Sequence, residues 1–152
     1  MPTALRNLTF GRKFNQSLAG VNLPESLCAL NFGKLFNQSL EKVALPCNLQ
    51  QLAFVADSCF DHSLEHVILP RHLQNLSLGT AYNQNFTFPA NLQSLTLGTS
   101  LAESAALPQL AELISLTLHT VSNEAGERRC RVMFPKSLQT LTFGLYFDQS
   151  LE

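Results

Sequence analysis

Residues 23–40 read Leu-Pro-Glu-Ser-Leu-Cys-Ala-Leu-Asn-Phe-Gly-Lys-Leu-Phe-Asn-Gln-Ser-Leu. The pentapeptide that closes this stretch, Phe36 to Leu40, occurs unchanged at Phe14 to Leu18. It returns as Phe60-Asp61-His62-Ser63-Leu64 and again as Phe147-Asp148-Gln149-Ser150-Leu151. Prolines keep the same beat: Pro2, Pro24, Pro46, Pro70, Pro89, Pro108 and Pro135 lie 22, 22, 24, 19, 19 and 27 residues apart. A short unit copied at that period marks a solenoid, and it is too short for helical hairpin repeats of about 33 or more residues.

Two apolar triplets recur in each copy. One follows the proline: Leu5/Leu8/Phe10, Leu27/Leu30/Phe32, Leu49/Leu52/Phe54, Leu73/Leu76/Leu78, Leu92/Leu95/Leu97, Leu113/Leu116/Leu118 and Leu138/Leu141/Phe143. The other precedes it, at Leu18/Val21/Leu23, Leu40/Val43/Leu45 and Leu64/Val67/Leu69, and decays to Phe86/Phe88 in the fourth copy. The last two members of each triplet stand two residues apart, the alternation of a strand with one buried face. This predicts a flattened coil with a short strand on each side, and so a mainly β chain: a parallel β-solenoid of about seven short repeats. A lone copy cannot persist. Roughly six or seven side chains at about 1.5–3 kcal/mol each do not offset about 1–2 kcal/mol of backbone entropy for each of some twenty residues. Stacking neighbours at about 4.8 Å closes each apolar layer over the next.

Gly11, Gly33, Gly79, Gly98 and Gly144 end the first triplet, where the chain needs a positive φ or a close backbone approach. Phe14, Phe36, Phe60, Tyr82 and Phe147 are expected to form an internal aromatic column, with Leu101 as the fifth copy's substitute. Asn15, Asn37, Asp61, Asn83 and Asp148 follow that column at a turn, where a side-chain oxygen can accept from free backbone groups of its own or the next coil. We read all ten column and turn residues as structural rather than ligand-binding.

The pattern Leu-Pro-x-x-Leu-x-x-Leu-x-Phe-Gly-x-x-Phe-Asn-Gln-Ser-Leu, written by Leu23 to Leu40, resembles the FNIP-type leucine-rich repeat. In layout it is also similar to the bacterial surface-antigen type of leucine-rich repeat. The resemblance implies a protein-interaction scaffold without enzymatic activity, and it chooses no partner. Residues 1–152 are read as one repeat domain, regular over 2–97 and 135–152 and irregular over 98–134. A solenoid needs caps over its terminal coils, and neither end of the chain offers one. The expectation is therefore a piece of a longer array, or end-to-end self-association through uncapped coils.

Composition narrows the partner class. The chain is 45% hydrophobic but only 14% charged, with a net charge of −1, so it exerts no long-range pull on nucleic acid or an anionic membrane. No apolar run approaches the eighteen or so residues of a membrane span, and Met1 to Leu5 enters the first copy without a signal peptide. The compartment is unknown, with the cytoplasm as the default. The Asn-x-Ser/Thr sequons at Asn7, Asn15, Asn37, Asn75 and Asn85 are mostly written by the repeat itself.

Cys28, Cys47, Cys59 and Cys130 sit at unrelated places in the repeat and show no Cys-x-x-Cys pairing, so free thiols are expected. Cys59, His62 and His66 have the short spacing of zinc ligands, which makes a zinc-binding module on the third coil one alternative. The repeat explains these positions more simply: His62 stands where Gln16 and Gln38 stand, and His66 where Lys42 stands. No phosphate loop, nucleophile elbow or His-Glu-x-x-His run is present, so neither catalysis nor a cofactor is expected.

Outward positions beside the second triplet, Gly20/Asn22, Lys42/Ala44, His66/Ile68, Asn85/Thr87 and Arg131/Met133, vary from copy to copy. A surface that reads a protein partner would vary in this way, and Lys42, His66 and Ile68 are candidate contacts. The outward pairs beside the first triplet, from Asn7/Thr9 to Thr140/Thr142, are small and neutral. Their later Thr-x-Thr rows carry a second alternative, a polar face that binds ice or carbohydrate, although Asn, Gln and Ala interrupt the rows in the first four copies. Within 98–134, helix formers after Pro108 predict a short helical segment near 107–114. The segment 119–134 holds the densest charge, and Arg128, Arg129 and Arg131 are candidates to grip a carboxylate or phosphate on a partner.

Overall fold

The computed structural model describes residues 1–84, 86–98, 102, 107–119, 129–130, 132–144 and 150–151. Seven strands form one parallel sheet: β1 (Asn7–Thr9), β2 (Ala29–Phe32), β3 (Gln51–Phe54), β4 (Asn75–Ser77), β5 (Ser94–Gly98), β6 (Ser115–His119) and β8 (Thr140–Phe143). A second, two-stranded parallel pair joins β7 (Arg129–Cys130) to β9 (Ser150–Leu151). The fold is the expected parallel β-solenoid. Each coil enters the sheet at the same phase of its repeat, so Leu8, Leu30, Leu52, Leu76, Leu95, Leu116 and Leu141 fall into one register row. Entry is fixed by a shared acceptor. The carbonyls of Arg6, Cys28, Gln50, Gln74, Gln93 and Ile114 each accept two successive amides of the following coil, at 2.7–3.0 Å.

The second triplet does not form the opposing strand. Among the described residues, Leu18–Leu23, Leu40–Leu45 and Leu64–Leu69 contain no strand, and tight turns run there instead. Val21, Val43 and Val67 donate their amides to the carbonyls of Leu18, Leu40 and Leu64 at 3.0–3.1 Å. The hydroxyls of Ser17, Ser39 and Ser63 accept the amides two residues on, which tightens the entry to each turn. The apolar side chains still face inward: Leu18, Leu40, Leu64, Val43 and Val67 are buried. Alternation reports which residues face the core, and a run of turns can satisfy it as well as a strand.

Beyond the first coil, the described corner glycines serve close approach rather than positive φ. Among the described glycines only Gly20, in the turn after Leu18, has a positive φ, 74°. A Cβ on Gly33 would lie 2.5 Å from the carbonyl oxygen of Gly11, and one on Gly98 would lie 2.8 Å from that of Thr80. The corner is where one coil's backbone rests on the next.

Aromatic rings fill the coil behind that corner. Phe14, Phe36, Phe60 and Tyr82 stack with successive centroids 6.0, 6.1 and 5.7 Å apart. A second column, Phe10, Phe32 and Phe54, runs beside it at 5.4 and 5.1 Å, and rings within a coil meet at 4.0–4.1 Å. Tyr82 is 1% exposed, and its hydroxyl completes no hydrogen bond among the described residues. Burial pushes the phenol pKa well above 10, against a weaker opposing pull from the Leu64 backbone amide. The folded state thus favours the neutral phenol, so stability present below pH 10 is lost as pH rises beyond it. Tyr82→Phe restores the ring found in the other coils; it is expected to raise stability by about 1 kcal/mol and to flatten this alkaline decline, both readable by urea denaturation between pH 7 and 11.

The helical segment near 107–114 is confined to one 3-10 turn, Leu107–Gln109. Beyond it Leu113 donates back to the Leu110 carbonyl and the chain enters β6. The outer coils are less covered: Leu5, Leu8, Phe10 and Phe14 of the first and Leu138 and Leu141 of the last are only partly buried. No helix among the described residues is long and apolar enough to cross a membrane.

Candidate protein-interaction surface

The motif Phe-Asn-Gln-Ser-Leu divides its labour residue by residue. Its Phe and Leu point into the core, and its Ser caps the turn. The Asn, or Asp, binds the next coil. Asn15 Oδ1 accepts the Asn37 amide at 2.8 Å, Asn37 Oδ1 the Asp61 amide at 3.3 Å, and Asp61 Oδ1 the Asn83 amide at 3.1 Å. The Gln position adds a second donor to the same acceptors, with Gln38 on Asn15 and Gln84 on Asp61 at 3.1 and 3.2 Å. In the third coil His62 Nε2 lies 3.2 Å from the Asn37 carbonyl instead. This ladder holds the outward residues of successive coils at a fixed axial interval. Phe147 and Asp148 of the last copy lie outside the described residues.

Two faces of the array are presented outward. The sheet face carries no Lys, Arg, Asp or Glu at its seven outward pairs, Asn7/Thr9 through Thr140/Thr142, with His119 ending the outward row of β6. Amides cross-link it in the early coils, where Asn31 Nδ2 donates to Thr9 Oγ1 at 3.2 Å and Gln51 Nε2 to Asn31 Oδ1 at 2.8 Å. A pure threonine row is confined to Thr96, Thr117 and Thr142.

The other face is the turn-built flank. Lys42, His66 and Ile68 are all exposed on it, Ile68 to 90%. Between the third and fourth coils this flank opens into a groove of about 390 Å³ whose lining mixes Val67, Leu69, Phe88 and Pro89 with Glu65, Arg71 and Thr87. The sequence marked Ile68 as outward but held no sign of a groove at the neighbouring Val67 and Leu69, except the change in proline spacing from 24 to 19 residues.

Other candidates separate. Cys59, His62 and His66 are not gathered; among the described residues no three of His, Cys, Asp and Glu are placed to hold a metal ion. Cys28, Cys47 and Cys59 are free thiols. Arg128 and Arg131, and the side chains of Arg129 and Cys130, lie outside the described residues. At the sheet's exit corner Lys34 pairs with Asp57 at 2.9 Å, and that contact lowers the Asp57 pKa. Both partners are substantially solvated, so the pair adds little to stability.

The model of the FNIP repeat matches residues 1–35, 36–81 and 60–100. Among solved structures, the chain is similar to CroV588, a circular leucine-rich-repeat protein, with 28% sequence identity and a TM-score of 0.57 over 98% of this chain and 25% of that one. The chain therefore spans about a quarter of that protein's length. No curated protein sequence matches.

Proposed function

The chain belongs to the FNIP-repeat family, and from that premise we propose that its coils form a noncatalytic scaffold holding a protein partner against the turn-built flank. The observation that carries this reading is Ile68, an aliphatic side chain 90% exposed between the groove-lining Val67 and Leu69, on the face where Lys42 and His66 also project. Contiguous exposed apolar surface rimmed by polar residues supports a protein contact, and Ile68 adjoins Val67 and Leu69 of the groove in the chain. The ladder of Asn15, Asn37 and Asp61 supports the same reading, because a scaffold must keep its contacts at set distances.

The test is capture of a partner on the tagged chain, followed by comparison of variants. Lys42→Glu with His66→Glu is expected to lower recovery of the partner at least tenfold, and Thr117→Arg on the sheet face to leave it unchanged. The opposite pattern would move the contact to the sheet. Both substituted flank positions are exposed turn residues, so circular dichroism of the variants is expected to match the parent.

A further inference from the structure

We infer that the chain associates head to tail with further copies of itself, the outer edge of β8 in one copy pairing with the outer edge of β1 in the next, so that the parallel sheet continues across the joint. The inference does not depend on the flank contact and concerns different atoms.

Among the described residues nothing pairs with either outer edge: β1 bonds only to β2, and β8 only to β6. What such an edge accepts is shown at every junction inside the sheet. One carbonyl takes two successive amides of the next coil, from Arg6 receiving Cys28 and Ala29 to Ile114 receiving Gln139 and Thr140. The same repeat positions stand open at the two edges. Among the described residues the Gln139 carbonyl accepts nothing, and the amides of Arg6 and Asn7 donate to nothing. Continuing the register sets Thr140, Leu141 and Thr142 of one copy beside Asn7, Leu8 and Thr9 of the next.

The apolar layers behind these edges are half covered. Leu5, Leu8, Phe10 and Phe14 are partly exposed where Leu27, Leu30, Phe32 and Phe36 are at most 1% exposed, and Leu138 and Leu141 are partly exposed where Leu113 and Leu116 are fully buried. One joint closes both layers with the leucine-on-leucine packing used throughout the array. Native edge strands are commonly defended by Lys or Pro, and β1 and β8 contain neither. By repeat position Arg6, Arg12 and Lys13 align with Gln139, Leu145 and Tyr146 of the other copy, so no like charges are forced together.

Gly11 is a separate observation. A Cβ on Gly33 or Gly98 would lie 2.5 or 2.8 Å from a carbonyl oxygen of the coil before, but one on Gly11 would meet nothing within 4 Å. Gly11 does not have a positive φ either, so nothing within one copy requires glycine there. At the joint it rests on Gly144 as Gly33 rests on Gly11. The two edges are different surfaces, so the contact is heterologous and repeats from copy to copy instead of closing on a pair.

Size-exclusion chromatography with light scattering on the intact chain tests this. The average mass is expected to rise at least threefold between micromolar and millimolar concentrations. Gly11→Ala and Asn7→Pro are each expected to stay monomeric with the parent's circular dichroism, since proline is tolerated as the first residue of a strand. Thr117→Arg, in the middle of the sheet face, is expected to associate like the parent. Asn7→Pro retains an intact β8 edge, so an equal amount added to the parent is expected to shorten the assemblies by docking on the parent's β1 and ending the row. A parent that is monomeric at millimolar concentration or stops at two copies would overturn the inference. So would association of Gly11→Ala equal to the parent's, or a mixture in which Asn7→Pro shortens nothing.

Discussion

Phe36→Ala is expected to destabilise the chain by about 3–5 kcal/mol. The ring is fully buried and meets Phe32 at 4.0 Å, Phe14 at 6.0 Å, Phe60 at 6.1 Å and Phe54 at 6.2 Å, so its loss opens a void reaching into three successive coils. Those coils are held apart by sheet pairing and by the side-chain ladder, and they cannot collapse to fill it. Phe14→Ala removes the same ring from a partly buried position in the first coil and is expected to cost markedly less. Guanidinium denaturation followed by far-ultraviolet circular dichroism compares the two; equal losses would show that the column is not a cooperative unit.

The second large effect falls on Gly33→Ala. The added methyl would sit 2.5 Å from the Gly11 oxygen, 2.7 Å from its carbonyl carbon and 2.8 Å from the Arg12 Cα, all backbone atoms. Only separation of the first two coils relieves that contact, and we expect a loss of about 1–3 kcal/mol or more. Gly11→Ala occupies the same place in the repeat, yet its methyl meets nothing within 4 Å. Its expected effect stays within about 0.5 kcal/mol. The intrinsic difference between glycine and alanine is common to both, so the gap between their melting temperatures isolates the close approach. Equal shifts would refute it.

The sheet was legible because Leu-x-x-Leu-x-Phe/Leu recurs in every copy and parallel coils align whatever repeats. The flank was misread for a physical reason. Val21 and Leu23 alternate in sequence as Leu30 and Phe32 do, and period two reports facing, not hydrogen bonding. What distinguishes them is Ser17, whose hydroxyl accepts the Ala19 amide at the entry to a turn that Val21 closes on the Leu18 carbonyl. The corner glycines left two readings open, and only coordinates choose between them, since Gly33 and Gly11 hold the same place in the repeat but have different neighbours in space. The groove at Val67, Leu69 and Phe88 accompanies a shortened interval before Pro89 that the sequence shows without saying what it opens.

The links Asn15 to Asn37, Asn37 to Asp61 and Asp61 to Asn83 all run one way, each coil supplying an acceptor upward and an amide downward. Among the described residues the second and third units therefore carry a plug and a socket of the same pattern. A duplicated unit inserted anywhere in the row arrives with both halves of its polar connections and orphans nothing on either side. Such an array can lengthen or shorten by gene duplication without renegotiating its joints, whereas a change inside the unit that spoils the plug is felt by its neighbour first.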